Sequence, residues 1–585
     1  MRTGALLAVV FPLLACAGTS RADGASEFKA LYEREWQHRL EDSPQLATSV
    51  GVHDYDAQLG HVDEKSQAAR LAYYRGIAKE LAAIDPQQLA AAERVNYAIF
   101  KDQVESGIGN LELKTYLMPM TSDSSFYADL AFMPRYHPFA SAQDYRNYVK
   151  RLEQIPAYFD EHVVLLKEGL KLGMTLPRIV LQGRDAAIKT HAEPKAPEDS
   201  AYYGPFKSIP ASIEAKEADT LRAAGLKAVR ESVIPAYARL LVFMRDTYIP
   251  KARPTLAAES LPNGKAFYRR QIKDYVTLEL EPAAIHEKGL SEVARIRAEM
   301  EQVMREAKFE GEFADFLKFL RTDPQFYAKD ADELLMRAAW VAKRVDGQLP
   351  KYFGLLPRLP FGIQPVPDAI APYYTGGRYV PPSYGGTEPG YYWVNTYDLK
   401  SRPLYVLPSL TLHEAVPGHH LQGALANEQG EQPPFRRFSY ISAFGEGWAL
   451  YTEHLGLEMG IYRTPYEQFG RLTYEMWRAC RLVVDTGIHS KNWTRDQALK
   501  FMTDNTALSE HEIGTETDRY ISWPGQALSY KLGELKIREL RARAEKELGP
   551  KFDLRAFHDA ILALGSVPLP ILEQQVDAFI AKGKG

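Results

Sequence analysis

The chain has 585 residues, 45% of them apolar, with a net charge of −4 and a pI near 6.4. That length exceeds a usual single domain and the apolar content is ample for a large core. No basic tract is present that would neutralise a run of phosphates, which argues against nucleic acid as a partner.

Met1 and Arg2 precede an apolar run over residues 5–15 that is too short to span a bilayer and reads as an export signal. Two processing readings stay open. Ser20-Arg21-Ala22 fits a small-residue cleavage site that makes residues 1–22 a signal peptide, while Leu13-Leu14-Ala15-Cys16 resembles a bacterial lipoprotein box with Cys16 lipidated. The expected location is outside the bacterial cytoplasm, either periplasmic or membrane-anchored, with a lipid on Cys16 as the only membrane attachment. Cys480 is the one other cysteine, so no intramolecular disulfide is expected and the core must supply stability.

The N-terminal half is helical by pattern. Apolar residues recur at three- and four-residue spacing over 27–46, 65–83, 86–104, 141–172 and 210–248, with Pro and Gly at the breaks. Residues 190–210 are richer in Pro, Lys, Glu and Ser and read as a surface loop. A soft boundary over 251–264 divides an N-terminal helical lobe, 23–260, from a C-terminal lobe, 261–585. The first lobe carries no chemistry of its own and is expected to wall a cleft. Residues 349–408 then change character, with many Pro, Gly and Tyr, and the aromatic, β-branched run 389–396 between turn signals predicts a strand.

The densest chemistry lies at 412–422, L-H-E-A-V-P-G-H-H-L-Q, which gathers His413, Glu414, His419 and His420 in a chain with only 14 histidines. Imidazoles beside a carboxylate can bind a divalent metal and leave one carboxylate to move a proton. On a straight helix His419 would sit about 120° around from His413, and His420 about 10 Å along the axis, so neither could share a metal with it. Pro417 prevents a straight helix, because its ring clashes with the carbonyl of His413 four residues earlier. Gly418 supplies backbone freedom for a bulge that swings the next turn back. His419 is the preferred second ligand, with His420 as the alternate. The helix predicted over 440–459 places Glu446 among Phe444, Trp448 and Ala449, where a desolvated carboxylate needs a cation or strong hydrogen bonds. Glu453, two turns on, could orient a ligand histidine.

These residues together resemble a variant of the zincin metallopeptidase signature, similar to a bacterial domain-of-unknown-function family marked by H-E-x-x-P-G-H-H, and through it the helical gluzincin-type oligopeptidases. The resemblance covers roughly residues 373–533. It implies a mainly α, two-lobed helical fold with a small β-sheet next to the metal helix and a deep central cleft. It also implies that F-G-E-G-W-A-L-Y-T-E supplies Glu446 as third ligand, so that His413, His419 and Glu446 hold one divalent metal, expected to be Zn²⁺. Glu414 is then the base that takes a proton from the activated water. By analogy, Tyr530, His489 or the metal stabilises the oxyanion, and Tyr391 and Asn395 on an edge strand contact an extended peptide, while the cationic Arg519 and Lys531 are candidates to bind a substrate carboxylate. The function implied is an exported metal-dependent hydrolase cleaving amide bonds of short peptides. The alternative is a non-catalytic exported binding or scaffold protein with a degenerate metal site.

Overall fold

Ser141 and Asp144 start the longest helix, α1 (Ala142–Leu172), through a reciprocal capping box, and Gly173 ends it with a left-handed φ of +72°. Its inner face is made by Tyr145, Tyr148, Leu152, Ile155, Phe159 and Leu166, the three- and four-residue spacing seen in the sequence. The computed structural model describes residues 21–584 apart from 123, 369 and 383–387. The apolar signal segment with Cys16 lies outside the described residues. The predicted surface loop at 190–210 departs from expectation, because it forms short helical turns whose Tyr202 and Phe206 are fully buried. Tyr202 shares a 2.7 Å hydroxyl hydrogen bond with Tyr237, so two aromatic anchors outweigh the loop-like composition around them.

The C-terminal half contributes α2 (Pro282–Glu306) and three short strands, β1 (Phe361–Pro365), β2 (Gly377–Val380) and β3 (Gly390–Val394). Then come α3 (Leu407–Glu414), α4 (His419–Glu428), α5 (Ser442–Glu458), α6 (Pro465–Lys491), α7 (Glu510–Ser522) and α8 (Ser529–Leu548). The fold is mainly helical with one small sheet beside α3, as expected.

The strand order is β1-β3-β2, with β1 parallel and β2 antiparallel to β3. The strand predicted at 389–396 is therefore central, and its backbone is paired on both sides. It cannot add a peptide. The edge beside α3 is β2, and alternation along its pairing with β3 turns the backbone groups of Gly377 and Tyr379 outward.

Helix α6 is buried over almost its whole length and packs along α2, where Gly289 lies so close to Leu482 and Val483 that a Cβ there would come within 2.8 Å of each. A second close approach sets α5 on α8, because a Cβ on Gly447 would fall 2.6 Å from the Gly533 backbone. The two largest cores each take residues from both sides of residue 260. Tyr148 and Tyr237 cluster with Leu472 and Val484, and Phe28 and Phe100 with Trp448 and Ile571. No helix among the described residues is long and apolar enough to cross a membrane.

Candidate metal centre

The segment joining α3 to α4 is a complete break. The first helix stops at Glu414, the Val416–Pro417 peptide is cis, and a new helix begins at His419. Gly418 is needed for closeness, not for an unusual φ, since a Cβ there would fall 1.9 Å from the His413 carbonyl oxygen. Trp448 of α5 donates its indole N–H to the Pro417 carbonyl at 2.9 Å, tying the turn to the helix that carries Glu446.

This turn brings three sequence-distant ligand atoms together. His413 Nε2 and His419 Nε2 each lie 3.4 Å from Glu446 Oε2, and one atom from each of the three residues falls within 4.8 Å of the others. The two imidazoles stand almost perpendicular, 4.9 Å between centroids. His420 faces elsewhere. Its Nδ1 meets the Tyr379 hydroxyl at 3.2 Å and its Nε2 the Leu359 carbonyl at 3.1 Å, and burial pushes its pKa down to about 4. Of the two histidines left open by spacing, His419 is the one in the cluster.

Surrounding groups fix the orientation of these three. His413 Nδ1 bonds Glu453 Oε1 at 2.8 Å, which sets the tautomer that leaves Nε2 facing Glu446. Arg478 lies 3.6 Å from the same carboxylate oxygen. Tyr440, which the sequence did not single out, donates to Glu446 Oε1 at 3.1 Å, leaving Oε2 for the imidazoles. Burial works against a charged His413, yet the Glu446 and Glu453 carboxylates raise it to about 10. Burial likewise opposes a charged Glu446, and the His419 and His413 imidazoles outweigh it, holding that carboxyl well below the usual range. The cluster thus attracts positive charge at the Nε2 positions. Two imidazole nitrogens and one carboxylate oxygen converging in this way are a donor set that fits a divalent cation such as Zn²⁺.

Glu414 is next to the cluster and nearly buried. Its Oε2 accepts the Tyr379 backbone N–H of β2 at 2.8 Å, and its other oxygen has no partner among the described residues. Tyr530 is in the first turn of α8, where its hydroxyl accepts a 3.5 Å hydrogen bond from the Gln526 amide and its ring lies 4.2 Å from the Arg481 guanidinium.

The remaining sequence candidates lie elsewhere or are already engaged. Asn395 is fully buried, donating to the carbonyls of Ala371, Tyr374 and Thr375 and accepting from Tyr397 N–H, so it fixes a loop and cannot meet a substrate. Tyr391 sits on the central strand and donates to Glu388 at 2.9 Å. Arg519 hydrogen-bonds Gln526 at 3.3 Å and lies 3.6 Å from Glu516.

Lys531 is fully buried, not available to a substrate, and lies 2.9 Å from both Glu475 and Glu534 and 3.3 Å from Glu292. Burial alone would lower its pKa, but the three carboxylates raise it. Removing that charge leaves the carboxylates facing one another, so Lys531→Met is expected to destabilise the fold by about 3–5 kcal/mol in urea unfolding.

His489 is also fully buried. Its Nδ1 accepts from Ala258 N–H at 3.1 Å and its Nε2 donates to the Tyr520 carbonyl at 2.9 Å, which leaves no nitrogen for an oxyanion. Burial pushes its pKa down to about 3, against roughly 6.5 in an unfolded chain. The unfolded chain therefore takes the proton first, so the stabilisation from neutral His489 is complete above about pH 6.5 and is lost as pH falls toward 3. Melting temperatures measured from neutral pH downward should fall less steeply for His489→Gln than for wild type. His162 and His558, also held near 3 by burial, keep part of the slope in that variant.

The model of a bacterial family of unknown function, DUF885, matches residues 44–576. The chain belongs to the DUF885 family. A search of curated proteins found no match. Among solved structures, a "putative lipoprotein" from Colwellia psychrerythraea is 28% identical with a TM-score of 0.89, over 96% of this chain and 100% of that one. A "putative lipoprotein of unknown function" from Shewanella oneidensis is 19% identical with a TM-score of 0.73, over 95% and 99% of the two chains, and shows the shared fold. The DUF885 match spans the α3–α4 break, Glu446, Glu453 and Tyr530, so the whole cluster lies within the family's region.

Proposed function

We propose that this DUF885 protein is an exported metal-dependent hydrolase that cleaves amide bonds in short peptides, with Zn²⁺ the expected metal. The observation that carries the reading is the convergence of His413, His419 and Glu446 beside a carboxylate, Glu414, that has an oxygen to spare. A protein that only stored a metal would have no use for that fourth group. The zincin-like resemblance in the sequence points the same way, and the lipoprotein description of the 28%-identical Colwellia structure supports export, with Cys16 the residue a lipid would take.

A divalent cation held by the three ligands supplies a Lewis acid able to lower the pKa of water from 15.7 toward about 7. The protein's own groups do the rest. The Tyr379 amide holds one oxygen of Glu414, so the other is presented in a fixed direction to accept a proton from the attacking water and return it to the leaving amine. With the Tyr379 N–H spent on Glu414, the outward backbone groups of Gly377 and the Tyr379 carbonyl are what β2 offers an extended peptide to align on. Tyr530 takes the role the sequence resemblance gives it, donating to the carbonyl oxygen as it becomes an oxyanion, an interaction whose loss typically costs about 10²–10³ in turnover. Glu453 and Tyr440 position His413 and Glu446 without touching the substrate.

The test is to purify the full chain, measure its metal content, and incubate it with a mixture of short peptides while following new termini by mass spectrometry. Cleavage that is lost on chelation and restored by Zn²⁺ is the expected result. Stoichiometric metal with no cleavage of any peptide or simple amide would instead favour a binding protein.

A further inference from the structure

A cavity of about 280 Å³ lies beside the first turns of α3, and none of His413, Glu414, His419 or Glu446 lines it. Its walls are mainly apolar, with Leu407 and Leu410 from α3, Val394 from β3, Leu334, Leu508 and the Tyr474 ring. Its size is near the lower end of small-molecule sites, roughly 300–1,000 Å³, and suits a ligand no larger than an amino acid.

Five charged side chains line this cavity: Arg321 is spent on the Leu508 and Thr506 carbonyls, Lys400 and Glu510 are exposed, and Arg402 and Glu512 keep hydrogen-bonding capacity that the protein does not use. Arg402 donates through one Nη to the Ser401 carbonyl at 3.1 Å, while its buried Nε has no acceptor. Glu512, in the first turn of α7, has no hydrogen bond or ion pair to its carboxylate among the described residues, although its backbone N–H meets Ser509 Oγ at 3.2 Å. Burial raises the Glu512 carboxyl to about 7, and Arg402 is the leading charge acting against that rise. The two groups influence each other without pairing directly. An apolar ligand carrying only an acid would leave Glu512 unmatched, and one carrying only an amine would leave Arg402 unmatched.

We propose that this cavity is a second ligand site that takes an apolar amino acid, free or as the terminal residue of a short peptide, with its acceptor end against Arg402 and its donor end against Glu512. The aliphatic or aromatic side chain occupies the space between Leu334, Leu407 and Leu410. The site needs no metal and does not rest on the hydrolase reading. It lies close to the metal cluster all the same. The Arg478 guanidinium stacks 4.7 Å from the Tyr474 ring that walls the cavity, and the same guanidinium is the one beside Glu453.

Calorimetric titration of the full chain after chelator treatment tests this, with L-leucine and L-phenylalanine as probes. Both should bind, and 4-methylpentanoate and 3-methylbutylamine, which each lack one end of leucine, should bind about tenfold more weakly. Glu512→Gln keeps the shape and is expected to weaken L-leucine by about tenfold, as is Arg402→Met. Ala507→Phe should block the cavity, and if that variant fails to fold the isosteric Glu512→Gln carries the test. Leu-Gly binding as well as leucine identifies a peptide N-terminus as the source, Gly-Leu a C-terminus, and neither of them the free amino acid. No binding of L-leucine or L-phenylalanine at millimolar concentration, or binding unchanged in both Glu512→Gln and Arg402→Met, overturns the proposal.

Discussion

Glu414→Gln is expected to retain the metal while slowing peptide turnover by about 10²–10⁴, the range attributed to a positioned general base. The substitution keeps the shape of the side chain and an oxygen that can still accept the Tyr379 N–H, so β2 should remain docked against α3. What it removes is the ability to take and return a proton. Glu414 is not one of the three clustered ligands, so bound metal should be equal in the two proteins when measured after exhaustive dialysis. Turnover within a few-fold of wild type would mean that another group moves the proton, and loss of metal would mean that Glu414 is itself a ligand. Both outcomes contradict its assignment as base. Glu453→Gln gives the contrast, because that carboxylate acts through His413 and its loss is expected to weaken metal binding by about 10–100-fold.

The sequence carried the local parts of this arrangement and not the long-range ones. Pro417 and Gly418 showed that the chain must leave a straight helix after His413, because the proline clash is local. Whether the chain would bulge or break was not legible, since the outcome depends on Trp448 reaching the Pro417 carbonyl from 31 residues away. The choice between His419 and His420 turns on the residue at which the second helix restarts, and ideal helical angles give no information across such a break. The aromatic run at 389–396 marked a strand correctly, but its place at the centre of the sheet follows from pairing with β1 and β2. Lys531 looked like an available cation on a helix. It is enclosed because Glu292 and Glu475 reach it from α2 and α6 while Glu534 lies one turn along its own helix, and only the last of these is visible in local spacing. Tyr379 and Tyr440 could not be picked out among 34 tyrosines, because nothing in their neighbourhood shows that one meets Glu414 through its backbone and the other Glu446 through its hydroxyl.

The two adjacent histidines provide the second large contrast. Adding Zn²⁺ at about a hundred times its Kd should stabilise the wild-type protein by roughly 2.7 kcal/mol over the chelated form, because a ligand that binds only the folded state shifts the equilibrium by mass action. His419→Ala is expected to abolish that gain, since it deletes one of the two imidazoles facing Glu446 Oε2 and leaves His413 as the only nitrogen donor. His420→Ala should keep it. Its ring bonds Tyr379 and Leu359, not Glu446, so its loss should lower the stability of chelated and metal-loaded protein alike, by about 1–2 kcal/mol for two buried hydrogen bonds. Thermal unfolding with and without Zn²⁺ separates the effects, because a ligand changes the difference between the two curves and a structural residue moves both. If His420→Ala removed the metal-dependent difference and His419→Ala preserved it, the imidazole that completes the cluster would have been misassigned. That result would contradict the structure, in which only His419 among the described His, Cys, Asp and Glu residues joins His413 and Glu446 in such a cluster.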